Sequence, residues 1–172
     1  MTLPASDQNT SVTAYQVGVF ALVRQRETYL IVRPRAPLLP GGLYGLPGLI
    51  LDAASGDNFV ESQLRRALLS QVGLAVAELR LVGSHAARGV EGGNGDARLN
   101  LIFGSDYCSG ILNPQDSELL AAEWMNGDDL SRAGVPAYLL AAVHELETSI
   151  APATPPAPAS TGRFPRLFGK QK

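Results

Sequence analysis

Between residues 34 and 48 the chain reads PRAPLLPGGLYGLPG, in which four prolines and four glycines fill eight of fifteen positions. Proline has no N–H and a locked φ, and glycine loses the most backbone entropy on ordering, so no regular helix survives there. Whatever lies on either side must be joined by irregular backbone. Upstream, Val17, Val19, Ala21 and Val23 alternate with Gly18, Phe20 and Leu22. Nearly all are apolar, which predicts a strand from Tyr15 that is buried on both faces. Arg24-Gln25-Arg26-Glu27 reads as a polar turn, and Tyr29-Leu30-Ile31-Val32 as the returning strand of a hairpin. Downstream, Leu49-Ile50-Leu51 predicts a short strand and Asp52 to Asp57 a loop. A helix is expected over Phe59 to Val72, with Asn58 as its cap and Gly73 as its stop. Leu64, Leu68 and Val72, spaced i, i+4 and i+8, form its inward stripe.

The remainder predicts strands over Leu79–Ser84, Arg98–Phe103 (with an extension through Cys108) and Ala121–Met125. A turn is expected at Asp128–Leu130, and a final helix over Pro136–Glu147 with Leu139, Leu140 and Val143 inward. The stretches GVEGGNGD (89–96) and NPQDSE (113–118) read as loops. Strands and helices interleaved in this way define an α/β (α+β) domain, a mixed sheet with helices packed on it. Its expected limits are 14–148, after a polar leader (1–13) and before a Pro-rich basic tail (149–172). With 172 residues and 45% apolar side chains, one domain with a real core is the expectation.

Net charge is −2, which argues against a strongly basic nucleic-acid binder. The total hides an asymmetry. Residues 1–148 carry ten basic and sixteen acidic side chains, whereas the tail carries Arg163, Arg166, Lys170 and Lys172 and no acid. A lone cysteine, Cys108, forms no internal disulfide and suits a reducing compartment. No secretory leader pattern and no apolar run near 18 residues is present, so a cytoplasmic protein without a transmembrane segment is expected.

Residues 43–74 carry a specific order of features. Leu43-Tyr44-Gly45-Leu46-Pro47-Gly48 is followed by a loop and then by Leu64-Arg65-Arg66-Ala67-Leu68-Leu69-Ser70-Gln71-Val72-Gly73-Leu74. This resembles the Nudix (MutT-like) hydrolase family, whose signature is a Gly-rich turn, a loop with a glutamate, and R-E-U-x-E-E-x-G-U on a helix. Downstream, Gln115-Asp116-Ser117-Glu118, Glu123-Trp124-Met125 and Asp128-Asp129-Leu130 are similar to the family's acidic loop, Trp-containing strand and following helix start. The resemblance covers about residues 15–148. It implies a Nudix-like α/β/α sandwich with a mixed β-sheet and hydrolysis of nucleoside diphosphates linked to another group, with Mg²⁺ or Mn²⁺ held by helix glutamates.

Against that pattern, the glutamate after the signature arginine is Ala67, and the paired glutamates are Ser70 and Gln71. The loop glutamate falls on Asn58, and the turn's second glycine is Leu49. The loop after Gly48 is also about four residues longer than usual. Arg66, Leu68, Gly73 and Leu74 keep the signature. Positions 67, 70 and 71 share one helical face. Mg²⁺ is tied down by hard oxygens, usually carboxylates plus substrate phosphates, and this face supplies only neutral groups. Asp52, Asp57, Glu61, Asp116 and Glu118 are the acids that could compensate. For Asp57 and Glu61 the competing reading is favourable charge at a helix N-terminus.

The catalytic candidates are therefore Glu118, Asp116 and Arg66, the last also readable as a helix residue paired with a carboxylate. The metal candidates are Asp57, Glu61 and Glu118. The ligand-binding candidates are Arg33, Arg35, Tyr44, Gly48 and Arg98. Together with Arg24 and Arg26, those arginines either gather round a phosphate-bearing ligand or are solvated strand ends. Tyr44 is either a packing residue of the turn or a stacking surface. His85 and His144 lie outside any zinc spacing, Trp124 is read as core, and Cys108 as a small packing residue. The expectation is a degenerate Nudix box with weak or no catalysis, no required cofactor, and a nucleotide-type small molecule as ligand. The alternative is an active divergent pyrophosphohydrolase that uses Mg²⁺ (or Mn²⁺), Glu118, Asp116 and loop acids. A third reading makes it an interaction protein, whose tail patch Arg163-Phe164-Pro165-Arg166-Leu167-Phe168 docks a protein partner or a membrane surface. The resemblance is also compatible with a homodimer.

Overall fold

The structure, a computed structural model, describes residues 15–39, 44–51, 56–88 and 97–150. Asp52, the 89–96 loop, the leader and the tail beyond residue 150 lie outside the described residues. The chain order is β1 (Tyr15–Gln25), β2 (Thr28–Pro34), β3 (Gly48–Ile50), α1 (Phe59–Val72), β4 (Leu74–Val76), β5 (Arg80–Arg88), β6 (Ala97–Gly110), β7 (Leu119–Asn126), α2 (Gly127–Arg132) and α3 (Ala137–Ile150).

The described strands form one seven-stranded mixed sheet. β1 is central and runs parallel to β6, from Tyr15 opposite Ala97 to Arg24 opposite Asp106. Its other edge is shared by two antiparallel strands, β3 beside Gly18–Phe20 and β2 beside Arg24–Gln25. β2 continues outward to β7. The far edge of β6 is shared in the same way by β5 and β4.

Both faces of β1 are covered, which is why its sequence is apolar at successive positions. Phe20, Leu22, Tyr29, Ile31 and Ile102 pack on one side with Leu130 of α2 and Leu139, Val143 and Leu146 of α3. Val19, Ala21, Val23, Leu30 and Val32 pack on the other side with Leu64, Leu68 and Val72 of α1. The expected helical stripe is thus the seam between α1 and the sheet, and the three layers make an α/β/α sandwich. On the α3 side, buried Tyr29 donates to the Glu147 carboxylate at 2.5 Å. Burial, reinforced by that bond, holds its phenol well above the usual tyrosine range.

Several local expectations change. Asn58 precedes α1 but sits at φ 51, ψ 30 and makes no side-chain cap. Capping needs an extended backbone that folds the side-chain oxygen over the first free N–H groups. Asn126 meets that requirement with φ −79, ψ 167, accepts from the Asp129 N–H, and starts α2 where the sequence suggested only a turn. Gly73 ends α1 at φ 74, as expected, with its N–H on Leu69. β4 had no sequence signal of its own, since three residues are too few to show a period. Cys108 is exposed rather than packed, because β6 runs past the end of the sheet core there.

Candidate functional site

The Pro/Gly segment and the C-terminal turn of α1 enclose a cavity of about 280 Å³, at the small end of ligand pockets. Its wall runs from Phe20 and Val32 on the sheet through residues 34–39 and 44–48 to Gln71 and Ser117–Leu119. Proline and glycine shape it. Pro47 O accepts from the Ala21 N–H at 2.9 Å, and Gly45 exchanges both backbone bonds with Val32. The irregular backbone is therefore stitched to β1 and β2 without forming a full strand.

Gln71 has a defined structural role. Its Oε1 accepts from the Gly48 N–H at 3.0 Å, and its Nε2 donates to the Gly48 carbonyl at 2.9 Å. One carboxamide satisfies both polar groups of one residue and ties α1 to the turn. A carboxylate could accept the first bond but has no proton for the second. Gln71→Glu is therefore expected to lower unfolding stability by about 1–2 kcal/mol, with the Gly48 carbonyl left unpaired beside a charge. Urea denaturation checks this, and a loss below a few tenths would show that the clamp carries no weight.

The neighbouring positions on that face are equally committed. Ala67 is buried, at 8% exposure. The Ser70 hydroxyl donates back to the Ala67 carbonyl at 3.1 Å. Among the described residues, no group of three or more His, Cys, Asp or Glu side chains comes together as could hold a metal ion. Residues 67, 70 and 71 do not fit Mg²⁺ or Mn²⁺, which take hard, preferably charged oxygens.

Of the residues singled out in the sequence, Arg35, Tyr44, Gly48 and Glu118 line the cavity, whereas Asp57, Glu61, Asp116 and Arg66 are not part of its wall. Arg35 Nε donates to the Asp116 carbonyl, which fastens the 113–118 loop to the Pro/Gly segment. Arg33 lies over the Tyr44 ring, 5.4 Å from its centroid, and donates to its hydroxyl at 3.4 Å. Arg98 Nη1 donates to the carbonyl of Leu38, a wall residue, at 2.8 Å. Asp57 is exposed in the turn before α1, and Glu61 is half-buried on its first turn.

The five arginines do not gather at one point. Arg24 pairs with Asp106 at 2.8 Å, and Arg26 sits in the hairpin turn. Asp106 is eight residues along β6 from Arg98, roughly 26 Å of extended strand. Arg66 is exposed and is in neither ion pair found among the described residues, so the expected carboxylate partner is absent there. No motif singles out its neighbour Arg65, whose guanidinium donates to the Val76 and Ala77 carbonyls at 2.6 and 2.7 Å and clamps the end of β4. Backbone carbonyl targets of this kind leave no residue-type pattern to read.

The three-layer sandwich, the Gly-rich turn held on the end of α1, and the cavity between them define a Nudix fold. The sequence matches no protein-family model and no curated protein. Solved structures nonetheless share the architecture. A NUDIX hydrolase from Nitrosomonas europaea superposes with a TM-score of 0.60 at 18% identity, covering 79% of this chain and 90% of that one. A MutT NUDIX hydrolase from Burkholderia pseudomallei gives 0.60 at 22% identity, covering 76% and 97%. The NUDIX domain of Shewanella oneidensis NrtR, complexed with ADP ribose, gives 0.59 at 15% identity, covering 82% and 94%.

Proposed function

We propose that this chain is a Nudix-fold ligand-binding module with little or no pyrophosphohydrolase activity, and that its ligand is a nucleotide-type small molecule. The observation that carries the reading is the Gln71 clamp. The residue where the Nudix signature has a glutamate uses both ends of its amide on Gly48. A metal-dependent hydrolase needs that face free and anionic to polarise a phosphoryl group. Here it is neutral and already bonded. Removing one transition-state-stabilising donor can cost about 10²–10³ in rate, so a missing carboxylate set costs more.

The binding half of the proposal rests on the cavity, whose largely apolar wall includes one arginine, Arg35, and two aromatic rings, Phe20 and Tyr44. Such a wall suits a ring system bearing phosphate. The NrtR domain, which shares the fold, holds ADP ribose. Titration calorimetry of the full chain with ADP-ribose and with nucleoside di- and triphosphates is expected to give a Kd on the order of micromolar for at least one of them. With Mg²⁺ or Mn²⁺ added, no phosphate release is expected. Metal-dependent turnover that disappears in Glu118→Gln would overturn this reading in favour of a divergent hydrolase built on Glu118 and Asp116. Absence of binding by every ligand would remove the binding half.

A further inference from the structure

The cavity opens to solvent between two exposed stretches of its wall, Arg35–Pro37 and Ser117–Glu118. Its interior is apolar, with Phe20, Val32, Leu39, Leu46 and Leu119 buried around it. Beside the mouth, Leu120 of the edge strand β7 keeps 56% of its surface exposed. The same mouth carries free negative charge. Glu118 and Asp116 are exposed, and among the described residues neither carboxylate is in an ion pair or a hydrogen bond. The wall's cation, Arg35, turns its Nε to the Asp116 backbone carbonyl instead.

The chain carries a complement to this mouth. Arg163-Phe164-Pro165-Arg166-Leu167-Phe168 sets two phenyl rings and a leucine among cations, Lys170 and Lys172 follow, and no acid occurs after Glu147. That stretch lies outside the described residues, but its point of attachment does not. Glu147 accepts from Tyr29 of β2 three residues before α3 ends at Ile150. From Tyr29, β2 runs on to Pro34 in the cavity wall. Five steps of strand cover about 17 Å, and three of helix about 5 Å. Residues 151–162 span at most about 40 Å, so their length is enough to bring the stretch to the mouth.

We propose that residues 163–168 dock in the cavity of their own chain, a phenyl ring filling the apolar interior and the arginines meeting Glu118 and Asp116 at the rim. A small-molecule ligand then competes with the tail for this site. The docking itself does not depend on which small molecule that is. Buried aromatic anchors carry most of the energy of such contacts, whereas exposed ion pairs add little and set position. The tether supplies the rest. At an effective concentration of about 1 mM, typical of a short linker, a segment with a Kd of about 0.1 mM is about nine-tenths docked.

The test uses a fluorescein-labelled peptide of residues 161–172, titrated by anisotropy into the full chain and into full-chain Phe164→Ser/Phe168→Ser, without nucleotide. The substituted chain, whose own segment has lost its anchors, is expected to bind the peptide with a Kd of about 0.1 mM, and the wild type about tenfold more weakly, because its own segment competes. Adding Glu118→Lys to the substituted chain is expected to weaken the peptide about threefold or more. A peptide with Arg163→Glu and Arg166→Glu is expected to prefer that Glu118→Lys chain, reversing the order. Equal affinity for wild type and the substituted chain overturns the inference and puts the segment on a second copy or another partner. No binding by the substituted chain overturns it outright. Unchanged binding in Glu118→Lys overturns it by placing the peptide elsewhere. Each of these failures leaves the ligand-binding reading standing, since no nucleotide is present. Failure of nucleotides to bind the substituted chain, whose cavity is open, touches that reading alone.

Discussion

Gly48→Ala is expected to lower unfolding stability by about 3 kcal/mol and to close the cavity. The added Cβ would fall far inside contact distance of the Val19 carbonyl oxygen, 2.8 Å from Phe20 Cα and 2.7 Å from Phe20 Cδ1. Two of these three atoms are backbone of β1, the central strand, which is held by β6 on its other edge. Overpacking against movable side chains costs about 1–3 kcal/mol, and immovable backbone puts this site at or beyond the upper end. The only relief is for the 44–48 backbone to lift, and that also breaks the Gln71 clamp. Urea unfolding with an unchanged m value measures the loss, and the nucleotide titration reads the cavity. Gly127→Ala is the matched control, since a Cβ there meets nothing within 4 Å. A Gly48→Ala protein within 1 kcal/mol of wild type would show that the turn yields freely.

Restoring the signature's first missing glutamate, Ala67→Glu, is expected to cost about 3 kcal/mol at neutral pH, because it places an unpaired carboxylate at a buried position. The cost is pH-dependent. Burial raises the folded-state pKa of the new carboxyl above its unfolded value near 4.3. Below that value both states are protonated and the electrostatic part of the cost vanishes. As pH rises through 4.3 the unfolded state ionises first, so the variant loses stability relative to wild type until the folded form also ionises. Urea midpoints for variant and wild type are therefore expected to lie closest together near pH 4 and to diverge toward pH 7. A gap that does not change with pH would assign the cost to volume alone. Ser70→Glu, at an exposed position, is expected to change stability by less than about 0.5 kcal/mol.

Patterns that repeat within a few residues of one another were readable in advance. The hairpin, the α1 stripe of Leu64, Leu68 and Val72, and the Gly73 stop depend on local period and local backbone conformation, and each is present in the fold. Asn58 shows where that reading fails. Residue type favours a cap, but the backbone enters α1 in the left-handed region and the side chain makes no cap hydrogen bond. β4 shows another failure, because only the overhanging end of β6 gives Leu74–Val76 a partner. At the candidate site, Arg35, Tyr44, Gly48 and Glu118 were named from the sequence and line the cavity. The arginine cluster that the sequence allowed does not form, because Arg24 and Arg98 are distant along the paired strands.

From the sequence alone came an irregular Pro/Gly segment between a doubly buried hairpin and an amphipathic helix, and a helix face at 67, 70 and 71 without carboxylates. Those follow from backbone restriction and side-chain chemistry, which are local. The tertiary structure alone decided what the neutral residues do instead. Gln71 is committed to Gly48, twenty-three residues away. Asn100 is buried behind Phe20 with its amide unpaired, because a parallel β1–β6 pairing eighty-two residues apart in sequence brings Gly18 against it. Hydrogen-bond satisfaction belongs to atoms that meet only after long-range packing, so neither the clamp nor the unpaired amide has a counterpart in the order of residues along the chain.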